Sequence, residues 1–206
     1  MKTTDPATKA TENLLYQLLE TELGGVQVYE TALRCAVNED LKEEWEKYLD
    51  ETKRHVQIAR GVVEAAGLDP DADVPARMTV RLMGETLVKM MKIALSQGDP
   101  KAAELTACEC VVEAETKDHQ NWELVSELAK HAKGDLKKAL HEACEEVEPQ
   151  EDHHLYHTKG WARELWMDGL GLGAELPPPE EKKDVETAIG AERAKNARRP
   201  TRHQQG

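Results

Sequence analysis

Four long segments of this chain carry apolar residues at steps of three or four, or of their sum seven, and in each the apolar line is broken by a glutamate. Steps of that size return to one face of an α-helix. The first line runs Leu15, Leu19, Glu22, Val26, Tyr29, Leu33, Ala36, and the second Leu41, Trp45, Tyr48, Glu51, His55, Ile58, Val62. A third gives Leu105, Cys108, Val112, Glu115, His119, Trp122, Val125, and a fourth Leu140, Ala143, Val147, Glu151, His154, Trp161, Leu165. Near-identical pentapeptides, ETKRH at 51–55 and ETKDH at 115–119, fall in the middle of two of these lines and bring a histidine inward with each glutamate. Burying an unpaired carboxylate costs on the order of several kcal/mol, so four at one level of a core need a source of compensation.

Helix punctuation supports this reading. Asp5-Pro6 opens a first helix, Asn38 to Asp40 marks a turn, and GLDPDADVP is a loop. Gly98-Asp99-Pro100 reads as a stop, an N-cap and a first-turn proline, and Gly134-Asp135 separates the last two long segments. The expected helices span 6–36, 39–67, 76–97, 100–133 and 135–168, with no alternating strand pattern. The expected fold is all-α: a four-helix bundle occupying 1–176, with the short third segment crossing between the second and third long helices. The stretch 177–206 has little to bury and reads as a disordered, mildly basic tail.

A net charge of −13 speaks against a nucleic-acid partner. No apolar run approaches the ~20 residues that span a bilayer, the start is not leader-like, and four cysteines are scattered, so a soluble protein of a reducing cytoplasm is expected. Cys108-x-Cys110 lacks the second cysteine pair of a structural zinc site, and the cysteines are read as packing. Asp69, Asp71 and Asp73 open like a calcium loop but fail it, with Val74 at the sixth position and Val80 at the twelfth.

The compensation for the inward carboxylates has few sources. The four lines contain no Arg or Lys, whereas two divalent cations would balance four carboxylates and the histidines would add nitrogen ligands suited to iron or manganese. With this pattern the chain resembles the ferritin-like di-metal carboxylate proteins, among them ferritins, rubrerythrins and manganese catalases, and more loosely their stress-associated bacterial members. That family has a Glu on each of two helices and Glu-x-x-His on each of the other two. Glu151-x-x-His154 matches, and Glu22 is followed after seven residues by Tyr29, as Glu115 is by Trp122.

The resemblance covers roughly 10–168. It implies a ferritin-like bundle with two Fe or two Mn ions held by Glu22, Glu51, His55, Glu115, His119, Glu151 and His154, with Tyr29 and Trp122 supporting them or serving as core aromatics. It further implies oxygen or peroxide as substrate in ferroxidase, peroxidase or catalase chemistry, and a homodimer. No rubredoxin-like cysteine pairs are present. The alternative is a metal-free or structurally metallated bundle acting as a scaffold or dimerisation module in stress response.

The pattern departs from the family in two places. His55 follows Glu51 by four residues, and Thr52 occupies the position at the usual interval. His119 is additional, and either orients a carboxylate, replaces a ligand or is a core histidine; His153 and His157 are alternatives to His154. Gly24-Gly25 signals a close helix approach, a local bulge or a tolerated weak point, and Pro149 is expected to kink or restart the last helix.

Overall fold

The computed structural model describes residues 6–174, and these form five helices. They are α1 (Pro6–Cys35), α2 (Glu39–Ala65), α3 (Pro75–Ser96), α4 (Pro100–His131) and α5 (Gly134–Gly169), with no strand among the described residues. The described residues are therefore all-α. The expected tail at 177–206 lies outside the described residues. No described helix is long and apolar enough to cross a membrane.

Local chemistry sets the helix ends. Asn38 caps α2, its side chain accepting from the backbone N–H of Asp40 and of Leu41. The buried carboxylate of Glu104 on α4 accepts from the N–H of Val37 at 2.7 Å and of Asn38 at 2.6 Å, which ties the α1–α2 turn to α4. At the start of α4, Gly98 adopts a left-handed φ of 78°, Asp99 accepts from Ala102 N–H, and Pro100 begins the helix.

The helix neighbours form a circuit. α1 packs on α2 and α4, and α5 packs on the same two; α3 lies against α1 and α4. Inside the circuit are two apolar clusters. One gathers Tyr29, Trp45, Tyr48, Met91, Cys108 and Trp161, and the other Leu15, Leu19, Val63, Trp122, Val125 and Leu140. All four cysteines are buried, and none forms a disulfide.

The glycines at 24 and 25 serve two close approaches. A Cβ added to Gly84 on α3 would lie 3.4 Å from the Cα of Gly24, and one added to Gly25 would lie 3.2 Å from Thr52 Cγ2 on α2. Close helix approach is thus the role the structure gives this pair, and α1 runs through it without a bulge. The expected restart at Pro149 does not occur, because α5 is continuous from Gly134 to Gly169. Pro149 is exposed, as is Glu145 four residues earlier, so water can serve the carbonyl that the missing N–H leaves without its helical partner.

Candidate metal centre

A polar band lies between the two apolar clusters. Glu22 enters it from α1, His55 from α2, Glu115 and Asp118 from α4, and Glu151 and His154 from α5, none of them more than 5% exposed. Two trios have ligand atoms that all lie within 4.8 Å of one another: His55, Glu151 and His154, and Glu22, Asp118 and Glu151. Glu151 belongs to both. Buried His, Glu and Asp groups of this kind are a donor set that can hold a metal ion.

The two imidazoles are oriented alike. His55 donates from Nε2 to Gln150 Oε1 at 2.7 Å and turns Nδ1 toward Glu151 Oε1 at 3.0 Å. His154 donates from Nε2 to Glu51 Oε2 at 2.9 Å and turns Nδ1 toward Glu151 Oε1 at 3.4 Å and Glu115 Oε2 at 3.7 Å. In each ring the outer nitrogen is committed to an oxygen while the inner one faces the carboxylates, the arrangement that orients a metal-ligating histidine.

The fit to a cation can be tested on unsatisfied atoms. Glu22 Oε2, His55 Nδ1, Glu115 Oε2, Asp118 Oδ1, Glu151 Oε2 and His154 Nδ1 are all buried and without a hydrogen bond, one atom from each of the six residues. Buried polar atoms are rarely left so, and six in one place is an arrangement that bound cations would satisfy. The donor set therefore fits a metal.

The electrostatics agree. Burial, then the charges of Asp118 and Glu151, push Glu22 well above the usual carboxylate range. Asp118 is raised well above its ordinary value by burial and by Glu151 and Glu115, and Glu115 is raised by burial and by Glu151. Burial acts on Glu151 in the same direction, but His154 and His55 outweigh it and hold its carboxyl well below the usual range. For His154, burial disfavours the charge, and the surrounding Glu115, Glu151 and Glu51 overcome this and raise it well above the ordinary histidine value. Without metal, burial and mutual repulsion thus shift Glu22, Glu115 and Asp118 toward their protonated forms.

The remaining residues singled out in the sequence lie around this band. Trp122 donates from Nε1 to Glu22 Oε1 at 2.8 Å, and Tyr29 is fully buried with its hydroxyl beside Glu115. Glu51 is at the rim, its side chain 21% exposed, between His154 and Lys47 at 3.5 Å. Thr52 takes the inward position on α2, donating to Tyr48 O. His119 is not among the inner six. It sits at the α4–α5 seam, with Nε2 2.8 Å from Asp152 Oδ1 and Nδ1 3.6 Å from Glu123 Oε1. His157 binds Tyr48 through Nδ1 at 2.7 Å and stacks on His153, so both stay outside the two trios.

Asp118 is the residue that sequence reasoning missed. From Glu115 a step of four reaches His119 and a step of three reaches Asp118, and both lead on to Trp122. The buried line on α4 passes through Cys108, Val111, Glu115, Asp118, Trp122 and Val125, so the step of three is the inward one. A signal was present: Glu115-x-x-Asp118 repeats the interval of Glu151-x-x-His154.

Comparison of the chain with protein-family models, with curated proteins and with solved structures finds no match.

Proposed function

We propose that this chain is a ferritin-like metalloprotein in which α1, α2, α4 and α5 form a four-helix bundle, α3 is the crossover, and the polar band holds a dinuclear iron or manganese centre. The observation that carries the reading is the six unsatisfied donor atoms, one per residue, on the five residues of two trios that share Glu151 and on Glu115 beside them. Glu151, common to both trios, would serve both ions, with His55 and His154 as further ligands of one and Glu22 and Asp118 of the other. Glu115 stands beside His154 as a further carboxylate within reach.

An iron or manganese pair supplies one-electron steps toward oxygen or peroxide. The chain's own part is positional and electrostatic. Gln150 and Glu51 fix the two imidazoles, Trp122 fixes Glu22, and the apolar clusters above and below keep bulk water from the carboxylates. Glu22, Glu115 and Asp118, whose carboxyls are all shifted toward the protonated form in the bare site, would give up protons as cations take their place. Tyr29, with its hydroxyl beside Glu115, is a neutral proton donor at that carboxylate.

The test is to load metal-free protein anaerobically with ferrous iron or manganese, then follow oxygen uptake and hydrogen peroxide loss. Metal-dependent turnover of either oxidant, abolished in Glu151→Ala, is the expected result. Metal binding with no reaction toward either would leave a structural centre in a scaffold.

A further inference from the structure

Outside the polar band, one feature of the surface connects with it. A pocket of about 220 Å³ opens between α4 and α5, walled by His119, Trp122, Glu123, Glu148 and Asp152, and Glu151 is part of its lining. Glu151 is 1% exposed, and its Oε2 has no hydrogen-bond partner. A buried carboxylate with an unsatisfied oxygen thus lines a pocket whose exposed residues are largely acidic.

We infer that this pocket is the port through which divalent metal ions reach the centre, with His119, Glu123 and Asp152 as the outer docking position. The inference rests on the metal reading of the inner six residues. Its logic is a gradation of ligands. Glu123 and Asp152, with side chains 66% and 45% exposed, meet a hydrated cation in solvent, and they already converge on the two ring nitrogens of His119. Glu148 is half-buried beside them, and Glu151 follows inside. A hydrated ion can then exchange water for carboxylate oxygens in stages. Trp122 is also part of the lining, and because its N–H is committed to Glu22 it offers the ion an apolar surface. An overall charge of −13 draws cations to the protein, and a carboxylate-lined mouth focuses that attraction at one place.

This gives His119 a use that its absence from the inner trios leaves open. Residues of the port control how fast metal arrives and not how much is finally held.

The experiment uses the full chain, stripped of metal and mixed anaerobically with Co²⁺, whose visible absorption reports binding. Wild type is compared with Glu123→Gln/Glu148→Gln/Asp152→Asn, with His119→Ala, and with a charge-matched control, Glu43→Gln/Glu46→Gln/Glu64→Gln, which changes exposed residues of α2. Thermal melts of the metal-free forms check that all are folded. The expected result is a loading rate at least about tenfold lower in the port triple, a smaller reduction in His119→Ala, an almost unchanged rate in the control, and the same final cobalt content in all. Equal rates in wild type and port triple, or equal slowing in port triple and control, would overturn the port. Wild type that binds no cobalt would sink the metal reading itself, and the port with it.

Discussion

Glu20 and Glu22 lie two residues apart on α1, both are buried, and the structure treats them in opposite ways. Glu20 accepts from Arg77 Nε at 2.6 Å and Arg81 Nε at 2.7 Å, both on α3. Burial opposes its charge, but the two guanidinium groups hold its carboxyl below the ordinary value. Glu22 accepts from Trp122 and otherwise faces Asp118, Glu151 and His55, and its carboxyl is pushed well above that value. The fold can serve a buried carboxylate with its own cations, and does so at Glu20. Among the described residues no Arg or Lys forms an ion pair with Glu22, Glu115, Asp118 or Glu151. A third case, Glu104, is met by backbone N–H groups. Of these three cases the central cluster is the one whose carboxylates have neither a cation nor a full set of hydrogen bonds, and that difference favours a cation from outside.

The largest effect expected from breaking this comparison is on the served side. Arg77→Met leaves Glu20 with one guanidinium and the carbonyls of Pro70 and Ala72 without their donor, and should lower stability by roughly 3 kcal/mol. Urea unfolding checks this, and metal content should be unaltered.

Neutralising each acid in turn sharpens the contrast. Glu20→Gln should cost about 2 kcal/mol in the metal-free protein, because an ionised partner of two arginines is lost. Glu22→Gln in the same state should change stability by less than about 1 kcal/mol, since that group is already held toward its protonated form. Metal affinity reverses the order, with Glu22→Gln weaker by about a hundredfold and Glu20→Gln close to wild type. Parallel unfolding curves and metal titrations separate the two.

The pH dependence follows from the signs. Glu22, Glu115 and Asp118 have folded-state values raised above the ordinary 4.5 and 3.8, and His154 is raised above 6.5. Their contribution is complete below those ordinary values and is lost as pH rises through the raised ones. Glu20 and Glu151, both lowered, act the other way: their contribution is present above 4.5 and lost as pH falls through the depressed values. Metal-free protein should therefore melt at a lower temperature at about pH 8.5 than at about pH 6. Metal-loaded protein should show the opposite trend, because its ligands must be deprotonated. Calorimetry of both forms across that range decides the point.

The smallest effect concerns the crossing that brings the arginines of α3 within reach of α1. A Cβ on Gly24 would meet Gly84 Cα at an ordinary 3.8 Å, so Gly24→Ala should gain a few tenths of a kcal/mol, up to about 1 kcal/mol, from helix propensity. Adding Gly84→Ala should cancel that gain, since two methyl groups would compete for one contact. A double-mutant cycle of melting temperatures measures it.

The helices were legible because their ends are written locally. Asn38, Gly98-Asp99-Pro100 and Gly134 each act within a few residues, and every expected boundary lies within two residues of an observed one. The inward acids were legible on α1 and α5, where Glu22 and Glu151 each interrupt an otherwise apolar line. On α2 and α4 the chain offers competing polar residues one position apart. Thr52 and not Glu51 faces inward on α2, and Asp118 and not His119 does so on α4. A rotation of one residue about a helix is decided by which neighbour it packs against, and that is a tertiary fact. The Glu20 ion pairs were invisible for the same reason, since Arg77 and Arg81 meet it only once α3 lies across α1.

The most direct measurement is elemental analysis of the full chain purified without a tag, beside Glu151→Ala and Glu20→Gln. The account predicts about two iron or manganese ions per chain in wild type and in Glu20→Gln, and almost none in Glu151→Ala. Wild type with no transition metal, and none taken up anaerobically from ferrous iron or manganese, would contradict it.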